Sequence, residues 1–224
     1  MLNCAYCGIP ALDVAGNTKL VALYCSGNVL TELNISALTS LERLVCDDNK
    51  LTQLNASNNL QLKSLTCTRN NISSLVVSGL SNLKRLSISH NPVSEISLAG
   101  NTSLNYLHAA FTQIATIDIT ALSELWMINA NDSKLTGIDL SANEALRGLR
   151  VNNNQLASLD IKANADLRYL FADGNPTLSM IKVGNWFDPN TFYTFIKDSH
   201  TKWDYSTKEE GNIGDMTESG GIWE

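Results

Sequence analysis

The sequence is poor in charged residues and contains no long apolar run. Lys, Arg, Asp and Glu make up 17% of its 224 residues, whereas hydrophobic residues make up 44%. This balance excludes a highly charged disordered polymer and provides enough apolar surface for a sizeable core. No stretch approaches about 18 uninterrupted apolar residues, so the sequence predicts no insertion into a membrane.

Basic residues are also scarce. The formal net charge is −6 and the isoelectric point is about 5.0. Binding to nucleic acid needs Lys and Arg clustered on one face, so we expect no nucleic-acid partner.

Signatures of catalysis and of metal binding are missing as well. Cys4 and Cys7 form one C-x-x-C pair, but no second pair and no H-x-x-x-H motif follows, which does not favour a zinc or redox site. His90 and His108 lack a third ligand. No Ser/His/Asp set and no paired carboxylates stand out. We therefore expect a protein without enzymatic activity, metal or cofactor.

What the sequence does contain is a repeat of 21 residues. It reads L-x-x-L-x-C/I/A-x-x-N-x-L-x-x-L-x-L and is followed by a five-residue link. A partial repeat from Leu2 to Val14 comes first, and the last repeat slips by one residue after Asn175. Full repeats begin at Leu20, Leu41, Leu62, Leu83, Leu104, Leu125, Leu146 and Leu167. The leucine spacing predicts a leucine-rich-repeat solenoid of nine stacked turns over 1–183, with a C-terminal capping region at 184–224.

Each repeat is expected to contribute one short strand. In Ala22–Ser26, alternation places Leu23 and Cys25 inside and the other side chains outside. Stacked strands would form one parallel sheet on the concave face of a horseshoe, formally of the α/β class. A turn of 21 residues leaves little room for a helix, so the convex side should be mostly extended chain and turns.

Two vertical ladders follow from the same spacing. The polar ladder contains Asn28, Asn49, Asn70, Asn91, Thr112, Ser133, Asn154 and Asn175, with Cys7 in the first turn. It suits fastening of a tight corner, because a buried amide can donate and accept, although a ligand site is the alternative. The sulfur ladder contains Cys4, Cys25, Cys46 and Cys67 and continues with Ile, Ala and Val. We interpret it as apolar filler and expect reduced, buried thiols rather than disulfides.

The repeats resemble a known family of bacterial proteins. The segments LERLVCDDNKLTQLNASNN and LKSLTCTRNNISSL are similar to cysteine-bearing 21-residue repeats of internalin J-like proteins and of related Bacteroidetes surface proteins. The resemblance covers Leu2 to about Val183. It implies a right-handed curved solenoid, a secreted or cell-surface setting, and a role in binding or adhesion. No cell-wall sorting signal or lipid-anchor motif accompanies the repeats.

The two ends of the repeat array differ. The first turn begins in the middle of a repeat without a capping segment, so we expect either further sequence upstream or a partner that covers the first turn. At the other end, Asp188 and Pro189 suggest a helix start, with Phe192, Phe195 and Ile196 on one helical face. Eight aromatic residues crowd into this region: Trp186, Phe187, Phe192, Tyr193, Phe195, Trp203, Tyr205 and Trp223. We interpret them as a cap with a short helix, and a carbohydrate platform is the alternative.

The outward residues of each strand form four columns along the stack. The first and second columns flank the inward Leu (Ala22 and Tyr24 in the second turn), and the third and fourth follow the next inward residue (Ser26 and Gly27). The columns contain no Lys and no Glu. They contain six of the seven aromatics before residue 184 and four of the six Arg residues: Tyr6, Tyr24, Tyr106, Phe111, Tyr169, Phe171, Arg43, Arg69, Arg85 and Arg150.

The enrichment of aromatics and Arg in these columns, together with the absence of Lys and Glu, predicts a binding surface on the concave face. Aromatics and Arg carry much of the energy of protein interfaces, whereas Lys and Glu are depleted there. A simple preference of aromatics for strands is the alternative, but it does not explain Arg without Lys. The predicted contact residues form two groups: Arg85, His90, Tyr106, His108 and Phe111, and then Asn129, Arg150, Tyr169 and Phe171.

The most favoured function is protein recognition or adhesion by a monomer. The partner would be a host or bacterial surface protein. A glycan-binding module and a structural spacer within a larger surface protein are the alternatives.

Overall fold

The fold is built from short strands. A computed structural model describes residues 1–190 and 193–206, and no helix occurs among them. The strands are β1 (Leu2–Asn3), β2 (Ala22–Tyr24), β3 (Arg43–Val45), β4 (Gln53–Asn55), β5 (Ser64–Thr66), β6 (Ser74–Val76), β7 (Arg85–Ser87), β8 (Tyr106–His108), β9 (Met127–Asn129), β10 (Gly148–Arg150), β11 (Leu159–Asp160), β12 (Tyr169–Phe171), β13 (Met180–Lys182), β14 (Thr194–Ile196) and β15 (Lys202–Asp204).

Ten of these strands form one continuous parallel sheet. Its order is β1-β2-β3-β5-β7-β8-β9-β10-β12-β14. Through β12 each residue pairs with the residue 21 positions later, as Leu86 does with Leu107 and Leu107 with Ile128. The 21-residue repeat therefore sets the register directly, and equivalent side chains lie above one another along the stack.

The opposite side of the stack is paired only in places. Strands β4 and β6 form a two-stranded sheet, and β11, β13 and β15 form a three-stranded sheet. Turns on the inner side of a curved stack lie closer together than turns on the outer side. The continuous sheet therefore lies on the concave face, and the interrupted pairing of the described outer strands marks the convex face, as the repeat predicted.

The interior is a single column of apolar side chains. Leu23, Leu65, Leu107 and Leu149 are fully buried, and so are Cys25, Cys46 and Cys67. The inward residues of the second half-turn, such as Leu30 and Ile35, join the same core. No turn closes this core alone, so each is stabilised by its neighbours.

The polar ladder fastens the corner after each strand. The Asn70 amide nitrogen donates to the carbonyl oxygens of Cys46 at 3.0 Å and Cys67 at 3.1 Å. Its amide oxygen accepts from the Leu51 backbone N–H at 3.0 Å. Thr112 and Ser133 replace two of the amides and share a hydroxyl contact of 3.0 Å. These bonds join neighbouring turns and confirm the interpretation as a corner fastener.

A second buried amide ladder was missed by the sequence analysis. Asn59, Asn101, Asn143 and Asn164 are fully buried on the convex side, at the position that Leu38, Leu80 and Leu122 occupy in other turns. The Asn59 amide donates to the carbonyls of Ile35 at 2.9 Å and Leu38 at 2.8 Å, one turn earlier. The recurrence of these residues at multiples of 21 positions is the signal that could have found them.

The prediction of a C-terminal helix is wrong. Asp188 accepts from the backbone N–H of Asn190 at 2.9 Å in a turn, and Thr194–Ile196 form strand β14. This strand pairs with β12 and adds a tenth turn to the nine predicted. The edge of β12 offers unpaired backbone groups, and pairing with it outweighs the local helix signal. Phe192 and Trp223, also assigned to the cap, lie outside the described residues.

Aromatic side chains pack at this end of the stack. Phe187 is buried, with its ring centroid 4.6 Å from that of Trp203 and 5.2 Å from that of Phe195. Strand β15 carries Trp203 and pairs with β13, whose register is displaced by one residue relative to the preceding turns. This displacement confirms the slip predicted after Asn175.

Candidate binding surface

Arg85 and Tyr106 form the centre of an ordered group on the concave sheet. The Arg85 guanidinium lies 4.2 Å from the centroid of the Tyr106 ring, which belongs to the next turn. The His108 ring meets Tyr106 edge-on at 6.4 Å, and the Trp126 ring lies at 5.9 Å. The His108 imidazole also contacts the Ser87 hydroxyl at 3.3 Å. Three residues of the first predicted group, Arg85, Tyr106 and His108, are therefore joined by side-chain contacts, together with Trp126 from outside the predicted columns.

The surroundings of His108 lower its pKa. Partial burial disfavours the charged imidazolium, and the nearby charges of His90 and Arg150 act in the same direction. His108 is therefore neutral at pH 7 and offers a hydrogen-bonding edge rather than a charge.

His90 and Phe111 form a stacked pair beside this group. Their ring centroids are 4.3 Å apart and the rings are nearly parallel, at 10°. Phe111 is 46% exposed, so the pair presents a flat apolar face to solvent. The two residues occupy consecutive positions in the fourth column.

Every fourth-column residue from the first turn to the ninth has a left-handed backbone. The φ angles are 65° and 68° at Gly27 and Gly174, where no side chain opposes this conformation, and lie between 52° and 57° at the other seven. Those seven are Tyr6, Asp48, Arg69, His90, Phe111, Asp132 and Asn153. Asp and Asn tolerate this region, whereas large side chains cost about 1–2 kcal/mol. Tyr6, Arg69 and Phe111 are thus kept at strained positions that point into solvent.

Relief of this strain should be measurable at Arg69. We expect Arg69→Asn to raise the free energy of unfolding by about 1 kcal/mol, because Asn adopts a left-handed backbone more readily than Arg. Urea denaturation followed by circular dichroism measures the change. Arg43→Asn is the matched control, since Arg43 lies in extended strand β3, where Asn is disfavoured, and should be slightly destabilising. A loss of stability in Arg69→Asn equal to that of the control would contradict the interpretation.

The second predicted group is ordered only in part. The Arg150 guanidinium lies 4.8 Å from the centroid of Phe171 in the next turn. His108, Asn129, Arg150 and Phe171 are consecutive register partners in the second column. Tyr169 is 50% exposed in the first column and makes no ring contact with another described residue. The residues from His108 to Phe171 thus form a continuous second column, and Tyr169 lies beside it in the first column.

The residues immediately before the first column form an edge column that sequence reasoning did not assign to the surface. It contains Val21, Glu42, Lys63, Lys84, Asn105, Trp126, Arg147 and Arg168. Trp126 contacts Tyr106, and the Arg168 guanidinium lies 5.1 Å from the Tyr193 ring and donates to its hydroxyl at 2.7 Å. The 21-residue spacing gives this column the same regularity as the other four. Its exposure follows from the structure.

The cysteines do not contribute to this surface. All five are free thiols; Cys25, Cys46 and Cys67 are buried, Cys4 is partly buried and Cys7 is exposed. The expectation of reduced thiols agrees with the structure for all five, and the expectation of burial in the sulfur ladder is met by Cys25, Cys46 and Cys67 but only partly by Cys4. Burial raises the pKa of the Cys25 thiol to about 12 and also raises the pKa values of Cys46 and Cys67 well above the ordinary value. The buried thiols are protonated and unreactive at neutral pH.

Thiol titration tests this assignment. At pH 8 we expect a thiol reagent to modify Cys7 rapidly in the native protein and to detect all five thiols after denaturation without reductant. Cys7→Ser should abolish the rapid phase. Fewer than five thiols in the denatured protein would reveal a disulfide, and rapid reaction of all five in the native state would contradict their burial.

No centre for metal chemistry was found in the part of the chain that the structure describes. Within residues 1–190 and 193–206, no three His, Cys, Asp or Glu side chains converge to hold an ion. The same residues include no helix of the length and apolarity needed to cross a membrane.

Comparison with solved structures identifies the fold. No protein-family profile and no curated protein matches the chain. The functional domain of InlJ from Listeria monocytogenes, described as including a cysteine ladder, is 26% identical with a TM-score of 0.53 and aligns with 79% of this chain and 52% of its own. A leucine-rich-repeat protein of Leptospira interrogans is 22% identical with a TM-score of 0.66, covering 79% of this chain and 55% of its own. This chain thus spans about half the length of both proteins.

A third structure bears on the expected partners. TLR13, solved as a complex with ssRNA13, is 25% identical over 76% of this chain and 29% of its own, with a TM-score of 0.56. A protein of this fold therefore binds RNA, and the exclusion of nucleic acid from net charge alone is not supported. The repeat, the ten-stranded sheet and the solved structures together identify the chain as a leucine-rich-repeat solenoid with 21-residue turns, similar to the cysteine-ladder repeats of InlJ.

Proposed function

We propose that this protein is a non-enzymatic binding module that recognises a protein partner through its concave face. The observation that carries the proposal is the ordered surface around Tyr106, in which Arg85, Trp126 and His108 surround one ring. Aromatic and Arg side chains held in place before binding lose little conformational entropy on association. Curved solenoids use such extended concave surfaces for binding.

The contact surface comprises both sequence-predicted groups. Its residues are Arg85, His90, Tyr106, His108, Phe111, Asn129, Arg150, Tyr169 and Phe171. The strain at Phe111 supports the proposal, because a large apolar side chain at a left-handed, exposed position weakens the fold and is better explained by a role in contact. We also propose a secreted or cell-surface setting in a bacterium with adhesion as the physiological role, which is what the resemblance of the repeats to internalin J-like cysteine-bearing repeats implies.

Glycan binding is a second candidate that one feature favours. Phe111 and Tyr169 are half exposed, and flat exposed rings also suit stacking on sugar faces. However, three other rings on or beside the concave sheet, those of Tyr106, Phe171 and Tyr193, are covered by Arg side chains. These three rings therefore have one face fewer for stacking on a sugar.

Two parallel screens on the same immobilised protein separate the candidates. We expect a displayed peptide library to yield enriched binders and a glycan array to yield none. Glycan hits without peptide enrichment would favour the second candidate. The absence of binders in both screens would favour a structural spacer and contradict the proposal.

A further inference from the structure

The concave sheet is divided lengthwise by charge. The edge, first and second columns contain seven cations: Arg43, Lys63, Lys84, Arg85, Arg147, Arg150 and Arg168. The same columns contain one acidic residue, Glu42, although the chain has 22 Asp and Glu residues and a net charge of −6. Asp47, Asp48, Asp132 and Asp173 lie in the third and fourth columns. We call the edge, first and second columns the basic strip.

Three of the five arginines of the basic strip are stacked on aromatic rings but not neutralised. Arg85, Arg150 and Arg168 lie over the rings of Tyr106, Phe171 and Tyr193, at 4.2, 4.8 and 5.1 Å from the ring centroids. None of the six Arg residues forms an ion pair with another described residue. Among the described residues, the two ion pairs are Lys63–Glu42 and Lys162–Asp160, and both involve Lys. A ring under the guanidinium restrains its orientation. The N–H edges of Arg85 and Arg150 remain directed at solvent, whereas Arg168 donates one N–H to the Tyr193 hydroxyl.

A guanidinium held in a fixed orientation suits binding of an anion that has two oxygens in one plane, such as a carboxylate. The planar N–H fork of Arg matches a carboxylate in a bidentate pair, which a Lys ammonium cannot form. Within the proposed protein-binding function, on which this inference rests, we propose that the basic strip binds an acidic segment of the partner protein through its Asp and Glu carboxylates. The aromatic rings between the arginines provide apolar contacts for the remainder of that segment.

The spacing of the arginines sets the length of the segment. Arg85 lies in β7 and Arg150 in β10, three strands further along the sheet, which corresponds to about 14 Å at a strand separation of about 4.8 Å. Arg168 precedes β12, one strand beyond Arg150. An extended peptide rises about 3.3 Å per residue, so a segment of about six residues crossing the strands spans all three.

Fluorescence anisotropy with a labelled octaglutamate peptide tests the proposal. We expect octaglutamate to bind at low salt, octaglutamine not to bind, and a rise to 0.5 M salt (roughly a 4 Å Debye length) to weaken binding strongly. The triple variant R85Q/R150Q/R168Q should bind octaglutamate about tenfold or more weakly, because it removes three partly exposed ion pairs. R85K/R150K/R168K keeps the charge and should also lose affinity, because Lys cannot replace the bidentate fork.

The matched control places the same charge change on the convex side. K162Q/K182Q/K202Q removes three exposed cations on or beside the outer strands and should leave octaglutamate binding unchanged. If K162Q/K182Q/K202Q loses as much affinity for octaglutamate as R85Q/R150Q/R168Q, the attraction is unspecific and the proposal is overturned. Binding of an octauridylate RNA or a heparin octasaccharide without binding of octaglutamate would overturn it too, as would the absence of any anion binding. Thermal denaturation verifies that each variant is folded.

Failure of this inference and failure of the proposed function give different results. Enriched peptides that are not acidic, but that still require Tyr106 and Phe111, would leave the concave face as the binding surface and refute the basic strip. Enriched peptides whose affinity is unchanged by every substitution on the concave face would refute the proposed function. The octaglutamate titration would still show whether the basic strip binds carboxylates.

Discussion

Asn70→Ala is expected to lower the free energy of unfolding by about 3 kcal/mol, because it removes the acceptor of a buried backbone donor. The Leu51 N–H donates to the Asn70 amide oxygen, and no other described group accepts from it. The carbonyl of Cys67 also loses one of its donors, although Asn91 still donates to it at 2.9 Å. The loss in free energy of unfolding therefore comes mainly from the Leu51 N–H, which is left buried without an acceptor. Urea denaturation followed by far-ultraviolet circular dichroism measures it.

The neighbouring residue supplies the control for this substitution. Asn71 is exposed, and its side chain makes no hydrogen bond with any described residue. Asn71→Ala should change the free energy of unfolding by no more than about 0.5 kcal/mol. Equal effects of the two substitutions would show that the polar ladder does not fasten the turns.

Leu107→Ala should be at least as destabilising, by about 2–5 kcal/mol. Leu107 is fully buried in β8, at the middle of the stack, and lies in register between Leu86 and Ile128. Both neighbours are fixed by their own strand pairing, so the cavity left by the substitution cannot close easily. The measurement is the same urea denaturation.

Leu60→Ala is the control for the core substitution. Leu60 is 54% exposed in a connecting turn, so the same atoms are removed without opening a buried cavity. We expect a change within about 0.5 kcal/mol. A small effect at Leu107 would mean that the stack relaxes around a missing side chain, contrary to the rigid register described above.

The spacing of the leucines was sufficient to predict the interior. In a stack, the residue at each repeat position meets its equivalent in the next turn, so a repeat of 21 residues fixes which side chains are buried. Leu23, Leu65 and Leu107 confirm this directly. The corner role of the Asn ladder was predicted for the same reason, since its position repeats without a break.

The C-terminal end could not be predicted in this way. Asp188 and Pro189 are a local signal for a helix start, but the repeat had already slipped by one residue and no longer indicated the register. Pairing of Thr194–Ile196 with β12 is a tertiary interaction, and it determined the outcome. Local propensity is weak beside a complete set of backbone hydrogen bonds on an open sheet edge.

The candidate surface was predicted as a set of positions but not as a set of contacts. Column membership identified Tyr106, Arg85 and Phe111. It excluded Trp126, because that residue lies before the strand. In the structure the Trp126 ring reaches the Tyr106 ring of the preceding turn. Side-chain direction between turns depends on rotamers, which a repeat pattern does not specify.

The central claim is that the concave face, and not the convex face, is the binding surface. The most direct test is the affinity of the library-selected binders for Y106A/F111A, measured by surface plasmon resonance, beside V76A/M180A as control. Val76 and Met180 are exposed apolar residues of the outer strands. We expect about a hundredfold weaker binding to Y106A/F111A, an unchanged affinity for V76A/M180A, and melting temperatures within a few degrees of the unmodified protein. Loss of binding in the convex variant with full affinity in the concave variant would contradict the central claim.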